Sequence, residues 1–91
     1  LSVELDALRR AQQLLHRGEA RSALAVLGEL ERLVPAGVLG EERAATRALA
    51  ACAALGRAQA RVAEFVARYP SSVHVERVRA ACEPGPRGSE K

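Results

Sequence analysis

The chain has 91 residues, of which 48% are hydrophobic and 2% are aromatic, and it carries a formal net charge of +3 at pH 7. This length makes one small domain and excludes a deep catalytic cavity enclosed between two layers of secondary structure. Because the hydrophobic residues are mostly alanine, leucine and valine, the composition favours helices packed on helices over a β-sheet.

The positive charge is almost entirely arginine, since the only lysine is Lys91. The arginines alternate with glutamates along the chain, which is typical of a solvated helix surface. The chain begins with Leu1 and contains neither an apolar signal region nor an apolar run that could cross a bilayer. We therefore expect a domain of a longer protein, with any signal or anchor upstream and no membrane insertion within this fragment.

Apolar residues recur at steps of three and four between residues 4 and 17, which predicts a first helix there. They are Leu5, Leu8, Ala11 and Leu15. Gly18 is placed to end this helix in the left-handed conformation. A second helix is predicted over residues 20–34, and Pro35 follows it as a helix breaker. Its apolar stripe comprises Ala20, Ala23, Leu24, Leu27, Leu30 and Val34.

A third helix is predicted over residues 41–55, because two glutamates open it and Gly56 follows it. A single inward stripe is expected on this helix. The stripe comprises Ala45, Ala48, Leu49, Cys52 and Leu55.

A glycine, a helical run and a closing proline then recur in the same order over fewer residues. A fourth helix is predicted over residues 58–69, and Pro70 closes it. Ser71 or Ser72 is expected to cap a short fifth helix that ends near Cys82.

Two stretches, LLHRGEARSALAVLGELERLVP and AALGRAQARVAEFVARYP, share a leucine, a glycine, a helix of small residues and a terminal proline. Pro35 and Pro70 lie 35 residues apart, close to a helical-repeat period of roughly 34 residues. Ala11, Gly18 and Ala23 match the small residues and the turn of one repeat unit. At these residues the chain resembles the tetratricopeptide repeat (TPR) family and, more loosely, repeat-bearing envelope proteins of Gram-negative bacteria.

The resemblance implies an all-α fold: a right-handed stack of two TPR-like helix-turn-helix hairpins plus a C-terminal capping helix. The repeat domain is expected to span residues 1–82, and residues 83–91 are predicted to form a disordered tail because they combine prolines and glycines with charged residues. The predicted core comprises Leu8, Ala11, Leu15, Ala23, Leu24, Leu27, Leu49, Val62, Phe65, Val66 and Val78.

The sequence offers no arrangement of residues that favours catalysis or cofactor binding. His16 and His74 lie in different helices and form no recognisable metal-binding motif, so we interpret both as surface residues. No serine lies in a Gly-x-Ser-x-Gly motif, and no glycine-rich loop is suited to phosphate binding. Neighbouring carboxylates such as Glu41 and Glu42 diverge on a helix. We therefore predict a non-enzymatic protein without a metal, a cofactor or a small-molecule substrate.

Five arginines form the candidate partner-binding surface, and they share the predicted A-type helices of the two units. They are Arg9, Arg10, Arg17, Arg43 and Arg47. If these helices stand side by side, as the resemblance implies, the arginines would favour an acidic peptide or a polymer bearing carboxylates or phosphates. The alternative is that they are simply solvated.

The function expected from this pattern is a protein–protein interaction module that binds a protein or peptide partner. The alternative is a helical nucleic-acid-binding or transcription-regulatory domain, which the positive charge would suit. We consider nucleic acid the weaker hypothesis, because no helix has the dense arginine, asparagine and glutamine face of a recognition helix.

The two cysteines lie on the inward faces of the third and fifth helices. If these are successive A-type helices, they run parallel and place Cys52 and Cys82 at similar heights, which predicts a disulfide between them. Such a bond persists in oxidising compartments, so it favours a periplasmic or otherwise extracytoplasmic location in the bacterial envelope. The alternative is a pair of reduced core cysteines in a cytoplasmic protein.

Overall fold

A computed structural model describes residues 2–56 and 58–82. These residues form five α-helices and no strand, so the predicted all-α class is confirmed. In chain order the helices are α1 (Ser2–His16), α2 (Ala20–Leu33), α3 (Gly40–Leu55), α4 (Gln59–Arg68) and α5 (Val75–Cys82). The predicted tail over residues 83–91 lies outside the described residues.

Two glycines end helices as the sequence predicted. Gly18 has a φ of 80°, and the N–H groups of Gly18 and Glu19 donate to the carbonyls of Leu15 and Leu14. This pair of bonds is a Schellman motif, which satisfies carbonyls at the end of α1. Gly56 has a φ of 83° and donates to the carbonyl of Cys52. Both positions need a residue without a Cβ, because left-handed backbone strains other side chains.

The fifth helix begins later than predicted, at Val75. The N–H of Ser72 donates to the carbonyl of Tyr69, so these residues form a separate turn before the helix. The Ser72 hydroxyl accepts the N–H of His74 at 3.0 Å. The serine therefore shapes the entry to α5 and stands two residues before the helix cap.

Helix α3 is the centre of the fold. It packs against all four other helices, whereas no Cα of α1 or α2 comes within 8 Å of a Cα of α4 or α5. The core is divided accordingly. One cluster of buried residues joins α1, α2 and α3, and it comprises Leu8, Ala11, Ala23, Leu27 and Ala50. The other joins α3, α4 and α5, and it comprises Ala45, Ala48, Cys52, Phe65, Val78 and Cys82.

Of the eleven predicted core residues, six are buried and five are half-buried. The buried members are Leu8, Ala11, Ala23, Leu27, Phe65 and Val78. The half-buried members are Leu15, Leu24, Leu49, Val62 and Val66. The prediction that Leu55 points inward was wrong, since this residue is 61% exposed. It is the last residue of α3, one turn beyond the level at which Cys52 meets Cys82.

The structure brings the Sγ atoms of Cys52 and Cys82 to disulfide distance, as predicted, with the two Cα atoms 5.2 Å apart. Both side chains are buried, and the bond ties α3 to α5. In the described part of the chain, no helix has the length and the apolar character that a bilayer span requires.

Candidate binding groove

A groove of about 730 Å³ runs along α3, between α2 on one side and α4 on the other. It exists because α2 and α4 both pack on α3, while no Cα of α2 lies within 8 Å of a Cα of α4. We call this space the α3 groove. Its lining residues are Leu27, Glu31, Pro35, Ala36, Gly37, Gly40, Arg43, Ala44, Arg47, Ala48, Arg61, Glu64, Phe65, Arg68 and Tyr69.

The floor of the groove is the stretch of α3 from Gly40 to Ala48. At a rise of 1.5 Å per residue this stretch is roughly 12 Å long. One end is closed by the α2–α3 loop and by Tyr69, whose hydroxyl lies 3.3 Å from where a Cβ on Gly40 would stand. Phe65 and Tyr69 line the α4 side with their rings 5.4 Å apart.

The floor is mixed, because Arg43 and Arg47 lie in it beside glycine and alanine, and further charged side chains lie on the rim. Arg61, Glu64 and Arg68 follow one another along α4, and Glu31 faces them from α2. The guanidinium of Arg68 lies 5.8 Å from the centroid of the Tyr69 ring, a cation–π arrangement. Among the described residues no carboxylate lies within 4 Å of Arg68, so its charge is available to a ligand.

Arg43 is held in place by acidic residues on both sides. Its Nη1 donates to Oε2 of Glu4 at 2.9 Å, and its Nη2 donates to Oε1 of Glu31 at 3.2 Å. The side chain of Arg43 is only 10% exposed. Arg47 is 28% exposed, lies 4.0 Å from Glu31 and donates to the carbonyl of Leu27. The single Glu31 carboxylate is therefore shared between two guanidinium groups.

Glu4 is the buried residue that organises the closed end of the groove. Its carboxylate is 2% exposed and accepts the backbone N–H groups of Val38 at 3.0 Å and Leu39 at 3.1 Å. Leu39 is the N-cap residue of α3 and supplies no side-chain cap. A carboxylate from α1 thus satisfies N–H groups at the start of α3, the positive end of that helix dipole.

Gly37 leaves the room that this carboxylate needs. A Cβ added at Gly37 would overlap the carboxylate of Glu4. The backbone of Gly37 is not in the left-handed region, so the requirement for glycine here is one of space. The α2–α3 loop, α1 and Arg43 therefore meet at one buried ion pair.

Burial raises the pKa of the Glu4 carboxyl, but the hydrogen bonds from Arg43, Leu39 and Val38 and the charge of Arg43 outweigh this effect. The pKa of Glu4 in the folded protein therefore lies below its ordinary value of about 4.3. At a pH between the folded-state pKa of Glu4 and its ordinary, unfolded-state pKa, the unfolded chain binds more protons than the folded chain. The stabilisation by Glu4 is thus complete above pH 4.3 or so and is lost as the pH falls through the folded value.

Glu4→Gln is expected to lower the Tm at pH 7 by at least about 5 °C, because the amide turns a donor toward groups that are themselves donors. The difference in Tm between the wild type and this variant should shrink as the pH falls from 7 to 3. Thermal unfolding followed by circular dichroism measures both.

Asp6→Asn is the matched control, since Asp6 is an exposed carboxylate on the same helix. It should change the Tm by no more than about 2 °C. A difference between wild type and Glu4→Gln that stays constant with pH would contradict the assigned role of Glu4.

The structure separates the five arginines of the predicted surface. Arg43 and Arg47 line the α3 groove, whereas Arg9, Arg10 and Arg17 on or just after α1 are exposed and do not line it. Arg17 lies 3.6 Å from Glu19. The cations that join Arg47 in the groove are Arg61 and Arg68, which were not among the predicted surface arginines.

The described residues hold no group of three or more histidine, cysteine, aspartate or glutamate side chains that could bind a metal ion. The groove lining contains no serine, cysteine or histidine. The arrangement is a short channel whose α3 floor combines alanines with Arg43 and Arg47, and whose rim carries both guanidinium and carboxylate groups.

Neither a protein-family model, nor a curated protein, nor a solved structure matches this chain.

Proposed function

We propose that this chain is a protein–protein interaction module, and that the α3 groove is the face that receives a segment of the partner. The observation that carries the proposal is the groove itself: an open channel over buried apolar residues, rimmed by arginines that remain accessible. Apolar surface combined with a few oriented polar groups is the usual composition of a binding site.

The proposed scaffold is a TPR-like pair of hairpins in a right-handed stack, closed by α5. The order of the elements supports it. Three residues separate α1 from α2 and α3 from α4, and six residues separate α2 from α3 and α4 from α5. Helix α3 packs on both α1 and α5, as an A-type helix between two others would. The hairpins are unequal, because α4 has 10 residues where α2 has 14.

We further propose an extracytoplasmic location, in a larger envelope or signalling protein of a bacterium. The pairing of Cys52 with Cys82 supports this, because buried disulfides persist in oxidising compartments. The resemblance to envelope-associated repeats points the same way.

Selection from a random peptide library tests the binding function without assuming a ligand. The immobilised domain should enrich a family of peptides, and Ala36→Trp should abolish their binding, because an indole at this position enters the closed end of the groove. Ala25→Trp is the matched control, since Ala25 is an exposed residue of α2 outside the groove. Enriched peptides that bind Ala36→Trp as well as the wild type would contradict the assignment of the groove.

A further inference from the structure

We infer that the partner segment is anchored in the α3 groove at two points. An aromatic side chain of the segment enters the closed end of the groove, and a carboxylate two residues away along the segment binds Arg68. This inference rests on the proposed function and adds the chemistry of the ligand. It follows from the charge balance of the closed end, from the residues that line it, and from the cation beside it.

The closed end is not an anion site, although the N-terminus of α3 lies there. The carboxylate of Glu4 already accepts the N–H groups of Val38 and Leu39, which are the donors that would otherwise attract an anion. Arg43 balances the charge of Glu4 and donates to it at 2.9 Å. A second anion would be repelled by this buried carboxylate. The closed end therefore favours a neutral group.

Most residues that line the closed end are uncharged. They are Pro35, Ala36, Gly37, Gly40, Ala44 and Tyr69. Arg43 also lies there, but its side chain is only 10% exposed and its guanidinium is bonded to Glu4 and Glu31. Arg47 is seven residues beyond Gly40, roughly 10.5 Å along α3, and so belongs to the other end of the floor. An apolar side chain at the closed end thus avoids the accessible charge of the floor.

The ring of Tyr69 favours an aromatic group among the apolar ones. Aromatic rings that meet edge to face or offset gain more than their burial alone provides. The groove has a volume of about 730 Å³, whereas a cavity of about 150 Å³ is enough to hold benzene. The groove therefore has room for a ring beside Tyr69.

Arg68 places a cation next to this neutral end. Its guanidinium lies 5.8 Å from the centroid of the Tyr69 ring. Among the described residues no carboxylate lies within 4 Å of it, whereas Arg61 lies 3.7 Å from Glu64. Arginine binds a carboxylate through two parallel N–H donors. A carboxylate of the partner segment is the group that complements Arg68.

The distance between the two anchors sets their spacing in the segment. Side chains of an extended peptide alternate between two faces, so neighbouring residues point apart, whereas residues i and i+2 share a face at roughly 6.7 Å. This separation is comparable to the 5.8 Å between Arg68 and the Tyr69 ring. The segment is therefore expected to carry its aromatic residue at position i and its carboxylate at i+2.

Three short peptides, each acetylated and amidated, test this pattern. Gly-Ser-Phe-Ala-Glu-Gly-Ser has the expected spacing, Gly-Ser-Phe-Glu-Ala-Gly-Ser turns the carboxylate to the other face, and Gly-Ser-Ala-Ala-Glu-Gly-Ser lacks the ring. Titration into the ¹⁵N-labelled domain, followed by NMR, gives the affinity and the amide signals that shift. We expect shifts at the closed end, an affinity about 2–5-fold higher for the first peptide than for the second, and binding at least about tenfold weaker for the third.

A charge-removing variant assigns the carboxylate to one arginine. Arg68→Gln should weaken the first peptide by about 2–5-fold and remove its advantage over the second. Arg61→Gln is the matched control, because it removes the same charge from the same groove two turns away. It should leave the advantage of the first peptide unchanged.

A second variant assigns the ring to the closed end. Ala44→Leu fills part of the space beside Tyr69 and should weaken the first peptide by about tenfold. Ala53→Leu is the matched control, since Ala53 is an exposed residue of α3 outside the groove. Circular dichroism confirms that each variant is folded.

Four results would overturn the inference. They are equal affinity for the first two peptides, equal affinity for the first and third, an equal loss of the advantage with Arg61→Gln and Arg68→Gln, and an equal loss of binding with Ala44→Leu and Ala53→Leu. Amide signals of the groove that move when the free domain is diluted would assign the groove to a second copy of this chain instead. If no probe peptide binds but library peptides still depend on Ala36, the interaction module stands and the two-point anchor is wrong. If library selection also fails, both are wrong.

Discussion

Phe65→Ala is expected to lower the free energy of unfolding by about 3–5 kcal/mol. Phe65 is the only phenylalanine of the chain, is 3% exposed, and lies in the core cluster that joins α3, α4 and α5. The neighbours of its ring are mostly alanine, valine and cysteine, whose small side chains cannot move to fill the cavity that its removal leaves. Urea denaturation followed by circular dichroism measures the loss.

Leu55→Ala is the matched control, because Leu55 is a large hydrophobic residue that is 61% exposed. It should change the free energy of unfolding by less than about 0.5 kcal/mol. A loss below about 1 kcal/mol for Phe65→Ala would mean that the ring is not buried in solution.

The replacement of both cysteines, Cys52→Ala with Cys82→Ala, is expected to cost about 3.6 kcal/mol. The bond closes a loop with a sequence separation of 30 residues, and this figure is the loss of unfolded-chain entropy expected for such a loop. The effect should concentrate on α5, because its 8 residues are too few to form a helix alone. Urea denaturation of the oxidised wild type and of the double variant measures the cost.

Limited trypsin digestion locates the effect. Cleavage after Arg77 and Arg79 in α5 should accelerate when the bond is absent, while cleavage after Arg9 and Arg10 in α1 should not. Equal acceleration in both helices would contradict a local role for the bond. Two free thiols, found by mass spectrometry in protein from its native compartment, would remove both the disulfide and the argument for an extracytoplasmic location.

The features that depend on local signals could be predicted from the sequence. The periodicity of leucine and alanine placed the helices to within a few residues. Gly18 and Gly56 were identified as helix ends from their positions after helical runs, and the left-handed conformation was predicted for Gly18. The pairing of Cys52 with Cys82 was predicted because their two helices were expected to be parallel neighbours. This arrangement places the two cysteines at similar heights.

The buried ion pair could not be predicted in the same way. Glu4 and Arg43 are 39 residues apart in the chain, and each looks like an ordinary solvated residue of a helix. One signal was present: Glu4 lies four residues before Leu8 and seven before Ala11, on the apolar stripe of α1. A carboxylate on a buried stripe needs a partner, and this requirement identifies Glu4 as unusual.

The α3 groove could not be predicted from the sequence either. A single inward stripe was expected on α3, but this helix is buried on several faces because four helices surround it. The distance between α2 and α4 decides whether a groove exists, and no local pattern encodes that distance. Arg61 and Arg68 therefore had no feature that distinguished them from other surface arginines.

The central position of α3 has a consequence for cooperativity. Since no Cα of α1 or α2 lies within 8 Å of a Cα of α4 or α5, coupling between these two pairs of helices passes through α3 or through whatever occupies the groove. Substitutions in opposite pairs should therefore have additive effects on stability in the free protein. A ligand that contacts both α2 and α4 would link the α1–α2 pair to the α4–α5 pair. Local unfolding of one pair should then be coupled to local unfolding of the other when the ligand is bound.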